Sequence, residues 1–223
     1  MAEIYEVLEP GYIYGRQWDC SSVVDLFLTL YQYFIHKENF DGKINVQEML
    51  NSLKVTMIVS TQCKICSTTK KKEFNDFFFF VLLVKNVHNI FRPFYDDING
   101  YACEICNALA GNPHPRLTTG AVQKTYITSL SNYVLIKFGR VKLNFEKVSH
   151  TVTVRDNTFV LGHHFQLEAW VEHIGHTIKS GHYVLIRRVK QRYIKMSDDY
   201  FSTSQEIYIL NSKLCYIAVL RRL

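Results

Sequence analysis

The chain has no apolar run long enough to cross a membrane. Its longest, Phe77–Val84, is eight residues held between Asp76 and Lys85, whereas a spanning helix needs about 20. It is expected to be a buried strand. The start, Met1-Ala2-Glu3-Ile4-Tyr5-Glu6, is acidic and lacks the apolar stretch of a secretory leader. There is no internal repeat and no low-complexity tract. Positive charge is not concentrated either: the net charge is +6 and the pI about 8.9, but the basic residues are scattered. Their one dense cluster, Lys70-Lys71-Lys72, is explained by a solvated loop. These absences lead to the expectation of a soluble intracellular protein, cytoplasmic or nuclear, with neither membrane nor nucleic acid as a partner.

What is present suits one large domain or two small ones across 223 residues. The apolar fraction of 48% is enough for a sizeable core. Pro10, Gly11 and Gly15 break any pattern in residues 1–16. Val23, Val24, Leu26, Phe27, Leu30, Tyr31 and Phe34 then recur at helical spacing, with Asp19 as the N-cap. A short second helix is expected over Val46–Leu53. From Lys54 onward the pattern predicts strands: Val55–Ser60, Glu73–Lys85, Val122–Leu130, Tyr133–Phe138, Val141–Phe145, Thr151–Val154, Phe165–Glu172, Glu206–Leu210 and Leu214–Leu220. Residues 93–100, with Pro93, Asp96, Asp97 and Gly100, read as a loop. Residues 107–120, with two prolines and two glycines, read as an irregular loop or lid. The sum is α+β, a short helical start followed by antiparallel sheet.

Four of the six cysteines form two pairs, Cys63-Lys64-Ile65-Cys66 and Cys103-Glu104-Ile105-Cys106. Without a secretory leader, two such pairs read as four thiolates on one structural zinc ion. A redox role needs a single CxxC at a helix start rather than two. Four free buried thiols is the remaining alternative. A zinc ribbon for nucleic acid is the weakest reading, because no stripe of basic and aromatic residues flanks the pairs. Cys215 lies in an apolar run and is expected in the core.

The densest chemistry lies near the end. Ser180-Gly181-His182 leads into Tyr183–Arg188, a strand, and Tyr193–Met196 reads as its partner. In that hairpin His182 is expected roughly across from Asp198 or Asp199, with Ser197 one step further. An oxygen acceptor would fix the tautomer and orientation of the imidazole, as a base that activates a thiol requires. The bland alternative is a surface hairpin with an ordinary histidine. Gly181 lets backbone or substrate approach closely.

The residues from His173-Ile174-Gly175 through Gly181-His182-Tyr183 to Tyr193-Ile194-Lys195-Met196-Ser197-Asp198 resemble the histidine box of the ubiquitin-specific proteases. The resemblance extends over most of the chain. Gln17-Trp18-Asp19 opening a helix resembles the family's Gln-Gln-Asp-Ala box. The two CxxC pairs, the second preceded by Tyr101, resemble its zinc-ribbon fingers. Leu130–Phe138 resembles the strand after the ribbon, and Phe165–Gly175 the strand before the histidine box.

The resemblance implies a papain-like fold lacking part of its helical thumb: a thumb remnant at 12–53, zinc-ribbon fingers at 54–120 and an antiparallel palm at 121–223. It implies a deubiquitinating cysteine peptidase that hydrolyses the isopeptide bond after the C-terminal glycine of ubiquitin. The partners would be ubiquitin or a ubiquitinated protein. His182 would be the base, with Ser197 in the third catalytic position and Asp198 supplying charge beside it. Asp19 would contact the ubiquitin tail, and the loop ending at Gly181 would close over it. The family's nucleophile lies upstream of the Gln-Gln-Asp-Ala helix, in a cysteine box that this chain begins too late to contain. Cys20 falls on the alanine of that helix and is expected to be a small buried residue. The chain alone is therefore expected to be inactive, completed by an upstream segment or serving as a ubiquitin- or partner-binding scaffold.

Overall fold

The computed structural model describes residues 48, 51–83, 88–110, 118–140, 146–175, 181–197, 200–204 and 209–223. The expected helix from Asp19 and the strand Val141–Phe145 lie outside them, as does most of Glu206–Leu210. Of the expected second helix, Glu48 and Asn51 are helical, and Ser52 N donates to Glu48 O at 2.9 Å. Among the described residues, no helix is long and apolar enough to cross a membrane.

Fourteen strands make up most of the described chain. Four form a small sheet in the order β2-β1-β5-β4: β1 Val55–Cys63, β2 Thr69–Asp76, β4 Phe94–Ala102 and β5 Thr118–Leu130. The larger sheet runs β12-β11-β10-β9-β14-β6-β3. Its strands are β3 Phe78–Leu82, β6 Tyr133–Gly139, β9 His163–Ile174, β10 His182–Val189, β11 Arg192–Ser197, β12 Tyr200–Ser204 and β14 Cys215–Arg222. Off that path, β8 Asn157–Val160 pairs with β9, while β7 Val152–Arg155 pairs with β13 Ile209–Ser212. One short helix, α1 Glu104–Leu109, follows β4.

The alternation of β6 shows why these segments are strands. Val134, Ile136 and Phe138 point into the main core, while Leu135 packs with Phe78, Tyr216 and Ile217 on the other face. The main core is continuous between the sheets, because Val55, Ile127 and Leu130 of the small sheet pack with Phe79, Val81 and Ile136 of the large one.

Three expectations need correction. Glu73–Lys85 is not one strand. Asp76 Oδ1 accepts from Phe77 N (2.7 Å) and Phe78 N (3.2 Å), a turn that takes the chain out of the small sheet. The phenylalanine run then enters the large sheet as β3, parallel to β6. Residues 94–100 are strand rather than loop. The register shift between Ile98 and Tyr101, with Gly100 at φ 73°, absorbs the turn-forming residues as a bulge on an exposed edge. Within residues 107–120, the start completes α1 and Thr118–Gly120 already belong to β5. Two strands carried no clear signal, β12 and β8. The β8–β9 turn places Leu161 (φ 49°) and Gly162 (φ 80°) in the left-handed region that a two-residue hairpin needs.

A polar knot holds β9 to β10 and β11. Arg188 donates to Asp156 Oδ1, to the Tyr193 hydroxyl at 2.7 Å and, through Nε, to Leu167 O at 3.1 Å. The Tyr193 hydroxyl lies 2.9 Å from both Asp156 Oδ1 and Leu167 O. Burial, then the Asp156 carboxylate, drive the phenol pKa far up, so it stays a donor at any ordinary pH. Tyr193→Phe should cost about 1–2 kcal/mol, because Arg188 and Asp156 still satisfy each other. Asp156→Ala should cost more, since it strands the guanidinium in a mostly buried site. Urea titrations of both variants check that order, and equal losses would mean that the hydroxyl, not the charge pair, organises the knot.

Candidate functional site

The first candidate site closes the far end of the small sheet. Cys63 ends β1, and the turn after it is locked by Cys63 N to Thr68 O (3.0 Å), Ser67 N to Cys63 O (3.0 Å) and Lys64 N to Gly120 O (2.9 Å). Ser67 takes the left-handed conformation, φ 58°, at the point where the chain turns back into β2. The second pair is built differently. Cys103 stands at the N-cap of α1 and Cys106 within its first turn, so spacing of three puts both on one face. Asn107 N donates to Cys103 O at 3.0 Å and Ala110 N to Cys106 O at 3.1 Å.

The four Sγ atoms lie within 4.8 Å of one another. Cys63 Sγ is 3.7 Å from Cys106 Sγ, and Cys66 Sγ is 3.5 Å from Cys103 Sγ. Tetrahedral zinc with bonds of about 2.3 Å separates its sulfurs by about 3.8 Å, so the cluster fits such an ion. All four positions are protein sulfur, which leaves no open coordination site for catalysis.

Polar neighbours surround the sulfurs. The Thr68 hydroxyl lies 3.2 Å from Cys66 Sγ and the Thr119 hydroxyl 3.6 Å from Cys63 Sγ, the latter also donating to Tyr101 O at 3.0 Å. In the metal-free protein the backbone N–H of Cys66, then the Thr119 hydroxyl, bring the Cys63 thiol down to about 6. The Thr68 hydroxyl lowers Cys66. Burial, then the neighbouring thiols, push Cys106 up to about 12. Four thiols this close do not all ionise without a cation. Lys64–Asp97 (2.6 Å) and Lys70–Glu104 (2.5 Å) tie the two arms across the rim.

The second candidate site lies where β9, β10 and β11 meet. The hairpin expected here forms, with Val189 opposite Arg192 and Leu185 opposite Met196. Lys190 occupies the left-handed region at φ 57°, which a two-residue turn requires even without Asn-Gly. Extending the register sets Ser197 opposite Val184, so His182 meets it on the diagonal. The contact is short: His182 Nε2 lies 2.6 Å from Ser197 Oγ. Of the sequence-predicted residues, the structure therefore brings together His182 and Ser197, and separately Cys63, Cys66, Cys103 and Cys106. Asp198, Asp19 and Cys20 lie outside the described residues.

Gly181 has a steric reason to be glycine. A Cβ there would sit 2.4 Å from His173 Nε2 and 2.7 Å from Ile174 O. His173 is 2% exposed, its ring centroid 4.6 Å from that of Tyr183 and 6.3 Å from that of Tyr216. Backbone and imidazole therefore press together just before His182.

Two cations beneath this site escaped the sequence reading. Arg140 is 1% exposed. It donates to Cys215 O (2.8 Å), Ser212 O (3.2 Å), Val148 O (3.3 Å) and His150 O. Burial lowers its pKa, partly offset by Cys215 and Glu172, and a guanidinium remains charged regardless. Lys147 Nζ donates to His173 O at 2.6 Å and Gly175 O at 2.8 Å, and burial, then the charge of Arg140, lower its pKa. A lone arginine ending the apolar strand Tyr133–Gly139 was a readable signal for Arg140. Nothing in the sequence marked Lys147.

Cys215 is fully buried, its sulfur 3.5 Å from Ile217 O, and it packs in the main core as expected. No curated protein matches the chain. A family model described as ubiquitin carboxyl-terminal hydrolase matches residues 15–219. That span takes in both cysteine pairs and the hairpin that joins His182 to Ser197, and covers nearly the whole sequence. The chain belongs to the ubiquitin carboxyl-terminal hydrolase family.

Proposed function

We propose that the chain is the base-bearing and zinc-bearing part of a deubiquitinating cysteine peptidase. Membership of the family makes ubiquitin, or a ubiquitinated protein, its partner and hydrolysis its chemistry. The observation that carries the reading is the 2.6 Å contact between His182 Nε2 and Ser197 Oγ. With Nε2 held there, a thiol would meet the ring through Nδ1. The thiol would pass its proton to the imidazole and attack the carbonyl carbon of the last glycine of ubiquitin. His182 would then protonate the leaving lysine amine, and water would release ubiquitin. Ser197 orients the ring but cannot stabilise imidazolium as a carboxylate does. Asp198 would supply that charge, while Asp19 and the backbone at Gly181 would contact the ubiquitin tail.

Fingers and palm of a papain-like fold would correspond to the two sheets, with zinc a structural ion at Cys63, Cys66, Cys103 and Cys106. The nucleophile would come from a cysteine box upstream of Asp19. Four of the six cysteines stand in the cluster and Cys215 is buried. The chain by itself would then be inactive.

A ubiquitin vinyl-type probe, which captures only a reactive thiol, tests this. The chain alone should not be labelled. Fusion to a family cysteine-box segment should give labelling, and His182→Ala should then reduce its rate by at least about a thousandfold. Labelling of the chain alone that disappears in Cys20→Ala would refute the assignment of the nucleophile. Ubiquitin binding without labelling, in either form, would favour a catalytically inactive scaffold, the reading that the neutral Ser197 supports.

A further inference from the structure

We infer that Lys147 is a positioning residue for His182, acting through the backbone of β9. The inference rests on His182 being the base, and goes beyond it by naming what holds that base in place. His182 is the first residue of β10, and its ladder partner is Ile174, the last residue of β9. End rungs of a sheet open most readily, so a side chain working there needs something besides the ladder to hold it. Lys147 Nζ donates to the two carbonyls on either side of Ile174, His173 O at 2.6 Å and Gly175 O at 2.8 Å. One ammonium thus spans the residue against which His182 is registered.

The lysine is itself fixed. Its neighbour Val148 donates through N to Arg140 O at 2.7 Å and accepts from Arg140 Nη1 at 3.3 Å. Arg140 in turn grips Cys215 O, at the start of the strand next to β9, and Ser212 O, at the end of β13. On the other side, the His173 ring fills the space that a side chain at Gly181 would take. A continuous set of contacts therefore runs from Arg140 through Val148 and Lys147 to the carbonyls around Ile174, and from there to His182 and Ser197. An ammonium suits the task because it offers three donors that rotate to meet two carbonyls at once. A methionine of similar length fills the space and offers none.

Nitrogen NMR of the full chain with isotopically labelled histidine tests the inference. The ring shifts of His182 report its tautomer and hydrogen bonding. In the unaltered chain they should show one fixed tautomer. Lys147→Met should move them toward the averaged pattern, in the same direction as Ser197→Ala. Lys147→Arg, which keeps charge and donors, should restore at least half of the change. The proton signals of the Trp170 and Tyr193 rings, read from one-dimensional spectra of the same samples, should stay in place throughout. Wild-type His182 shifts in Lys147→Met would overturn the inference while leaving the His182–Ser197 pair standing. Collapse of the Trp170 and Tyr193 signals in that variant would also overturn it, because the lysine would then hold the fold and not the base. Wild-type shifts in Ser197→Ala would overturn the pair itself, and the inference with it.

Discussion

Chelation of zinc will open the small sheet from its outer end while leaving the large sheet folded. The cluster joins the end of β1, at Cys63, to the residue after β4, at Cys103, with β5 between them. Without the ion, that end keeps only its last ladder and turn hydrogen bonds and two exposed ion pairs, which contribute little. The opposite end is anchored by Val55, Ile127 and Leu130 in the main core. In hydrogen exchange the amides of Gln62, Cys63, Tyr101 and Ala121 should lose protection by about a hundredfold or more, whereas those of Val134 and Ile136 keep theirs. Native mass spectrometry should show one zinc per chain, lost in Cys106→Ser.

Binding should also depend on pH with a definite sign. Cys106, pushed up to about 12, holds its proton in the metal-free protein at neutral pH, and Cys63, near 6, has largely lost its own. Zinc uptake must therefore release protons from the cluster, so affinity rises with pH and falls steeply below about 6. A metal-free chain with unchanged exchange at Cys63 and Tyr101 would remove the structural role of the ion.

Replacing Arg140 by methionine should be the most damaging single change in the large sheet, at about 3–5 kcal/mol. The guanidinium serves four backbone carbonyls on three segments: Val148 and His150 ahead of β7, Ser212 at the end of β13 and Cys215 at the start of β14. Each hydrogen bond from a charged donor is worth about 1.5–3 kcal/mol, and relief of the buried charge offsets part of the sum. At about 2–4 °C per kcal/mol for a chain of this size, the melting temperature should fall by about 10 °C. Arg140→Lys should fall between, having charge but a shorter and less branched reach. A shift below about 2 °C for Arg140→Met would mean that water or a neighbouring donor replaces the guanidinium.

Strand content, the two cysteine pairs and the hairpin under His182 were legible in the residues, because each is a local pattern. Alternation of apolar residues set β6 and β9, and CxxC spacing set two pairs of sulfurs that could share one ion. Gly-His-Tyr followed by Tyr-Ile-Lys-Met-Ser set a hairpin whose histidine lies on the diagonal from the serine. Tertiary structure decided the rest, since it depends on which distant strands become neighbours. Asp76 ends β2 and sends the phenylalanine run into the other sheet, a choice that apolarity alone does not contain. The residues of 94–100 look like a loop because they serve an exposed, bulged edge. His173 explains why position 181 is glycine, across a gap in sequence that no spacing rule covers. Lys147 looks like an ordinary surface cation in a chain of scattered charge, and Arg140 is marked only by its place after an apolar strand. Only the packed fold shows them turned inward onto carbonyls, where the backbone rather than a carboxylate is their partner.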